Sequence, residues 1–146
     1  MNTEKQFLVG RDEIYKVVQY LKDQFNVCNI FAFYGPLGAG KTTLVKALLK
    51  DCNITGPITS PTFTYLNRYK NESGQTFYHF DLYRIEAIKD FLAFGFDEYL
   101  EQAHSWCFIE WPEVIAPLLK NKVCKVKIDY LEKNRDKRKV VVSCRI

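Results

Sequence analysis

Gly35-Pro-Leu-Gly38-Ala-Gly40-Lys41-Thr42 fits the pattern GxxxxGK[ST] at every defined position, and Thr43 follows it. Three glycines within six residues make a poor strand or helix, because glycine loses the most backbone freedom on ordering and packs no side chain. The flanks are of opposite kinds. Asn29-Ile-Phe-Ala-Phe-Tyr34 is short and apolar on both faces, which predicts a buried strand. Beyond the glycines, Leu44, Val45, Leu48 and Leu49 recur at helical spacing, so a helix starts at Lys41 and is closed by 51–57. Strand, glycine turn and helix together let successive backbone N–H groups turn inward around a phosphate, with the helix N-terminus adding its own. In such a loop the lysine reaches the β and γ phosphates and the hydroxyl ligates Mg²⁺. Gly35, Leu37, Gly38, Ala39, Gly40, Lys41, Thr42 and Thr43 are therefore candidate nucleotide contacts.

The remaining patterns build a domain around this unit. Lys5 to Val9 reads as a strand. Asp12 is placed to cap a helix carrying Ile14, Val17, Val18 and Leu21 on one stripe. Phe63 to Tyr69 and Thr76 to Phe80 flank Asn71-Glu-Ser-Gly74 as a hairpin. A short helix is expected over Ile85 to Phe94, a turn over Phe96 to Leu100, and a second central strand over Trp106 to Ile109. Pro112 suits the first turn of a helix through Leu119. Val123 to Tyr130 alternates cleanly and can pair with Val140 to Cys144. The expected fold is a three-layer α/β P-loop NTPase domain spanning residues 1–146, with a mostly parallel or mixed central sheet flanked by helices.

Composition narrows the class. Apolar residues at 47% and charged residues at 26% are ordinary for a globular chain, which argues against disorder. No apolar run reaches the roughly 18 to 20 residues that span a bilayer, and the N-terminal residues show no signal-peptide core, so a cytoplasmic protein without membrane contact is expected. Net charge is +4, with much of the basic excess in Lys133, Arg135, Lys137, Arg138 and Lys139. A solvated hairpin loop and a contact to polyphosphate or RNA are both open readings of that segment. The five cysteines are far apart, form no CxxC pair, and read as small buried hydrophobes of a reducing compartment.

Two acids follow short apolar strands: Asp81 after Phe77-Tyr-His-Phe80, and Glu110 after Cys107-Phe-Ile109. One would hold the Mg²⁺ shell and the other orient or activate water; the sequence does not decide which. His79 shares a strand face with Asp81 and reads as a supporting or core histidine rather than a general base. Thr59-Ser-Pro-Thr-Phe63 follows the loop helix, where nucleotide switches often supply a hydroxyl, although its composition also suits a rigid turn.

Taken in order, Gly35-x-Leu-Gly-Ala-Gly-Lys-Thr-Thr43, Ser60-Pro-Thr-Phe63, His79-x-Asp81-Leu-Tyr-Arg84, Gly95-Phe-Asp-Glu-x-Leu100 and Ile109-Glu-Trp-Pro-Glu113 resemble the TsaE family. Its members are small bacterial P-loop ATPases of the threonylcarbamoyladenosine tRNA-modification system. The resemblance implies ATP/ADP and Mg²⁺ as cofactors, Lys41, Thr62, Asp81 and Glu110 as catalytic residues, and Thr42, Asp81 and Glu110 around the metal. It places Trp111 beside the active centre, among the nucleotide-binding residues and sensitive to nucleotide or partner. It also implies two partners, a TsaD-like carbamoyltransferase and its TsaB-like paralogue, with tRNA met indirectly through the complex. Their product is the modified adenosine 37 of tRNAs reading codons that begin with A. Phe91, Phe94, Phe96 and Tyr99, which on composition alone read as core filling, would then serve as a partner surface. Pro36 departs from the polar residue common at that position and lacks an N–H. The resemblance leaves the adenine pocket unassigned.

Other classes explain less. A small-molecule kinase would need an acceptor pocket and an arginine-bearing lid, for which only the Lys133–Lys139 segment is available. A GTPase would need an Asn-Lys-x-Asp reader, and Asn121-Lys-Val-Cys124 ends in the wrong residue, so ATP is expected over GTP. An RNA-binding module would leave the complete phosphate loop without a purpose.

Overall fold

The computed structural model describes residues 2–145. A seven-stranded sheet runs through it in the order β1-β7-β6-β2-β5-β4-β3. In chain order these strands are β1 (Asn2–Gly10), β2 (Ile30–Tyr34), β3 (Leu66–Lys70), β4 (Thr76–Asp81), β5 (Ser105–Glu110), β6 (Val123–Tyr130) and β7 (Lys137–Arg145). The helices are α1 (Tyr15–Asp23), α2 (Lys41–Asp51) and α3 (Ile88–Ala93), joined by 3-10 turns at Phe96–Glu101 and Pro112–Leu118. The central strands β6, β2, β5 and β4 are mutually parallel. Antiparallel β7 and β1 extend the sheet on one side and β3 on the other. The expected mixed α/β architecture is the one observed.

Strand alternation decides which face each side chain serves. Phe31, Phe33, Phe77, Phe108, Val126 and Ile128 face α1 and α2, where they meet Val17, Val18, Leu21, Leu44, Val45, Leu48 and Leu49. Ile30, Ala32, Tyr78, Phe80, Cys107 and Ile109 face the other way and meet Phe91, Leu100 and Ile115. Because His79 and Asp81 are in phase with Phe77, and Glu110 with Phe108, all three polar residues share the α2 face. Much of the aromatic content fills this core: Phe25 stacks on Trp106 at 5.3 Å, and Phe77 stacks on both Trp106 and Phe108, at 5.5 and 5.8 Å.

Several expectations need correction. Asp12 does not cap α1, whose N-cap residue is Ile14; Glu13 instead accepts the Gly10 N–H at 3.3 Å, one turn earlier. β3 begins at Leu66 rather than Phe63, because the Ser-Pro-Thr turn continues into Tyr65, which has φ +67° and donates its N–H to Pro61 O at 2.8 Å. The segment after Pro112 is a 3-10 turn broken at Ile115, and Pro117 removes a further donor. All five cysteines are buried as expected, yet Cys124 and Cys144 are not free thiols. They stand directly opposite each other in the β6–β7 register and form a disulfide. Cys28, Cys52 and Cys107 remain free, and burial pushes the Cys52 and Cys107 thiols up to about 12. The partner-surface reading fails for Phe91, a fully buried core residue, and is weakened for Phe96 and Tyr99, which pack against that core. Phe94 alone of the four is exposed. No helix among the described residues is long and apolar enough to cross a membrane.

Phe108 lies at the centre of the aromatic stack, so Phe108→Ala should lower unfolding free energy by about 3–5 kcal/mol. Urea denaturation followed by tryptophan fluorescence measures it; a loss under about 1 kcal/mol would contradict the assigned core.

Candidate functional site

β2 ends at Tyr34 and α2 begins at Lys41, so the loop 35–40 stands at the C-terminal edge of the central parallel strand. In open α/β sheets this edge is where ligands gather. Gly35, Gly38 and Gly40 have φ of +149°, +78° and +111°, a region that side chains disfavour. Space excludes them as well at Gly35 and is tight at Gly38. A Cβ on Gly35 would overlap the Ile128 carbonyl oxygen, and one on Gly38 would lie 3.0 Å from the Tyr130 hydroxyl. Pro36 contributes through its carbonyl, which accepts the Ala39 N–H at 3.2 Å.

Lys41 is buried at the first position of α2. Its Nζ donates to the carbonyls of Gly35 and Pro36 at 2.5 and 3.0 Å and lies 3.8 Å from the centroid of the Trp111 ring. Desolvation lowers the ammonium pKa, while the carboxylates of Glu110, Glu113 and Asp81 oppose that shift. Trp111 is held in the left-handed region at φ 57°, between Glu110 and Pro112, and its ring also packs on Tyr83 at 4.8 Å.

Asp81 and Glu110 are register partners at the ends of the parallel strands β4 and β5. Glu110 Oε1 accepts the Thr42 hydroxyl at 2.6 Å, and Oε2 accepts from His79 Nε2 at 2.6 Å. His79 is fully buried, and its Nδ1 has no partner among the described residues. A carboxylate oxygen accepts, so the hydrogen of this bond lies on His79 Nε2. Asp81 Oδ1 accepts the Tyr83 N–H at 3.1 Å, and Oδ2 takes a long 3.4 Å contact from the Thr62 hydroxyl. Ser60 and Thr62 hydroxyls lie 2.9 Å apart. Desolvation raises the Asp81 pKa and the charge of Glu110 adds to it, against the Tyr83 N–H, His79 and Thr62. Thus Thr42, Thr62, Asp81, Glu110 and Lys41 gather at one end of the sheet, with His79 behind them and Trp111 as one wall.

The exposed side chains of Leu37 and Thr43 do not join this cluster. Thr43 instead lines a cavity of about 760 Å³ between the loop, residues 10–14 and the turn 134–138. A second cavity of about 790 Å³ opens at the other end of the strands and contains none of the expected site residues. Two further residues touch the loop, Tyr130, which pattern reading missed, and Arg138, which it read only as part of the basic segment: Tyr130 Oη donates to Leu37 O at 2.9 Å, and Arg138 Nε to Ala39 O at 3.1 Å. No local signal marks them, since they lie 93 and 99 residues from their acceptors.

With this geometry in hand, similarity to known proteins becomes informative. The family model described as "Threonylcarbamoyl adenosine biosynthesis protein TsaE" matches residues 9–140. The tRNA threonylcarbamoyladenosine biosynthesis protein TsaE of Rickettsia felis is 34% identical over 129 residues, covering 88% of this chain and 74% of that one. Its namesake from Aquifex aeolicus is 31% identical over 134 residues, covering 89% and 90%. The crystal structure of Bacillus subtilis YdiB superposes with a TM-score of 0.74 at 26% identity, over 99% of this chain and 87% of that one. Fold, site-bearing segments and sequence therefore agree, and the chain belongs to the TsaE family.

Proposed function

We propose that this chain is the ATP-binding and ATP-hydrolysing subunit that supports threonylcarbamoyl transfer to adenosine 37 of tRNAs reading codons that begin with A. It would act with TsaD-like and TsaB-like partners and meet tRNA through them. The observation that carries the catalytic part is the direct Thr42–Glu110 hydrogen bond at the mouth of the glycine loop, with Asp81 in register beside Glu110. Two buried, adjacent carboxylates and a hydroxyl are hard oxygen donors, which suits Mg²⁺. Desolvation first, and the charge of Glu110 after it, disfavour the ionised form of Asp81, and a bound cation relieves both.

Within this reading Thr42 and Glu110 hold the metal shell, since they already share a hydrogen bond. When bound, Mg²⁺ would neutralise charge on the phosphates. Asp81, tied to the Ser60–Thr62 turn, faces the attacking water and orients it. His79 holds the Glu110 carboxyl group in place and aims it. Lys41 leaves the Gly35 and Pro36 carbonyls for the terminal phosphates, a charge-assisted exchange. The base and ribose fit the cavity beside Thr43, whose about 760 Å³ is ample for a nucleoside. Trp111 covers the Lys41 ammonium and reports its departure.

Lys41→Ala should weaken Mg·ATP binding about 10- to 100-fold by calorimetry, and unchanged affinity with unchanged hydrolysis would defeat the assignment. The two acids separate cleanly. Glu110→Gln should abolish the gain in nucleotide affinity that Mg²⁺ confers. Asp81→Asn should retain that gain and slow hydrolysis by about 100-fold or more in the presence of the partner proteins. The reverse pattern would exchange their roles.

Asp81 also makes a stability prediction. Its carboxyl has a folded-state pKa above the unfolded value, so the folded chain binds more protons between the two values. Its contribution to stability therefore falls as pH rises from the ordinary carboxylate range through the raised folded value. Above that window Asp81→Asn should melt at a higher temperature than wild type without nucleotide, and an equal or lower melting temperature would contradict the assigned desolvation.

A further inference from the structure

The phosphate loop is braced from outside by a part of the chain that no motif marks. β6 and β7 form a hairpin in which Tyr130 and Arg138 are direct cross-strand partners, and Arg138 is paired on its other side with Val9 of β1. Its guanidinium lies 4.5 Å from the centroid of the Tyr130 ring, a cation–π stack that fixes both side chains. From there Tyr130 Oη donates to Leu37 O at 2.9 Å and Arg138 Nε donates to Ala39 O at 3.1 Å. Arg138 Nη1 also donates to the carbonyls of Arg135 and Lys137, at 2.6 and 3.1 Å, so its own turn is held as well.

Peptide geometry converts these two bonds into a statement about the site. In a planar trans peptide the C=O and the following N–H point in opposite directions. Anchoring Leu37 O towards the hairpin aims the Gly38 N–H away from it, and anchoring Ala39 O does the same for the Gly40 N–H. Neither N–H has a protein acceptor among the described residues. The hairpin's closeness also bears on the small residues of the loop, because Ile128 leaves no room for a Cβ at Gly35 and one at Gly38 would crowd the Tyr130 hydroxyl.

We infer that Tyr130 and Arg138 are positioning residues that preorganise the Gly38 and Gly40 amides for a bound polyphosphate. This rests on the nucleotide reading given above. It assigns the hairpin a role neither purely solvated nor in direct phosphate contact: the basic residue acts on loop carbonyls, and the loop amides meet the anion. Preorganisation raises affinity by removing the cost of ordering the loop at the moment of binding.

The test titrates the full chain with Mg·ATP and with inorganic tripolyphosphate, which has no base, comparing wild type with Y130F, R138M and R135M. Arg135 has the same charge on the same turn but no side-chain contact to the loop carbonyls. Y130F and R138M should each weaken both ligands about 5- to 20-fold, the effect of losing one preorganising hydrogen bond. R135M should change tripolyphosphate binding less than about 2-fold; the comparison is confined to the ligand without a base because Arg135 borders the cavity assigned to base and ribose. In amide NMR spectra, tripolyphosphate should shift the Gly38 and Gly40 protons strongly in wild type and weakly in both brace variants. Tyr130 is an exposed surface residue, so Y130F reports even if R138M folds poorly. Undiminished tripolyphosphate binding in Y130F and R138M overturns the brace. A loss confined to Mg·ATP also overturns it and assigns Arg138 to the base or ribose. Equal losses of tripolyphosphate affinity in R135M and R138M with none in Y130F reduce the effect to charge alone and overturn it too. Wild type binding neither ligand defeats the nucleotide reading first, and the brace with it.

Discussion

A carboxylate withdrawn from water is tolerated only when its lone pairs are filled, and Glu110, 2% exposed, meets that condition with the Thr42 hydroxyl and His79. These two bonds join the first turn of α2, the end of β5 and the middle of β4 at one point. Losing either partner would leave a buried charge uncompensated, which costs far more than an exposed hydrogen bond gains. The position of the glycine loop relative to the acids is thus fixed by a polar contact inside an otherwise apolar layer. The parallel register that sets Asp81 beside Glu110 supplies the second carboxylate with no additional device.

The site carries several locally unfavourable features together. Lys41 is desolvated, Asp81 has its ionised form disfavoured, Trp111 occupies a left-handed backbone conformation, and His79 Nδ1 is buried without a partner among the described residues. Each is a cost that the surrounding core must hold in place. The aromatic stack of Phe25, Phe77, Trp106 and Phe108 lies on the same sheet face, directly below His79 and Glu110. Packing there gives the polar residues above it a rigid base.

What could be read from the chain alone follows the range of the interactions. The strand–loop–helix unit was legible because Gly35 to Thr42 and its flanks carry short-range periodicity, and the two acids because each closes an apolar run. Side-chain phase along β4 could be inferred from residue numbers, which placed His79 with Asp81. The hydrogen bond from His79 to Glu110 could not, since it depends on β4 and β5 being neighbours. The Cys124–Cys144 disulfide and the Tyr130 and Arg138 contacts escaped for the same reason: each depends on strand register, and no local spacing encodes it. Phe63 to Tyr65 misled for a different reason. Aromatic and β-branched content suggests a strand, but the Ser60-Pro61-Thr62 turn continues through Tyr65.

In the proposed function, a divalent metal bound with nucleotide sits between the loop and the two strand-end acids. Paramagnetic relaxation measures this directly, with Mn²⁺ in place of Mg²⁺ and a non-hydrolysable ATP analogue bound to isotope-labelled protein. The account predicts that backbone signals of Thr42, Asp81 and Glu110 are broadened most, with those of Gly38 to Lys41 close behind, while residues 25–30 and 120–122 around the far cavity keep their line widths. Broadening centred on the far cavity, or spread evenly over surface carboxylates with Thr42 and Glu110 unaffected, would contradict it.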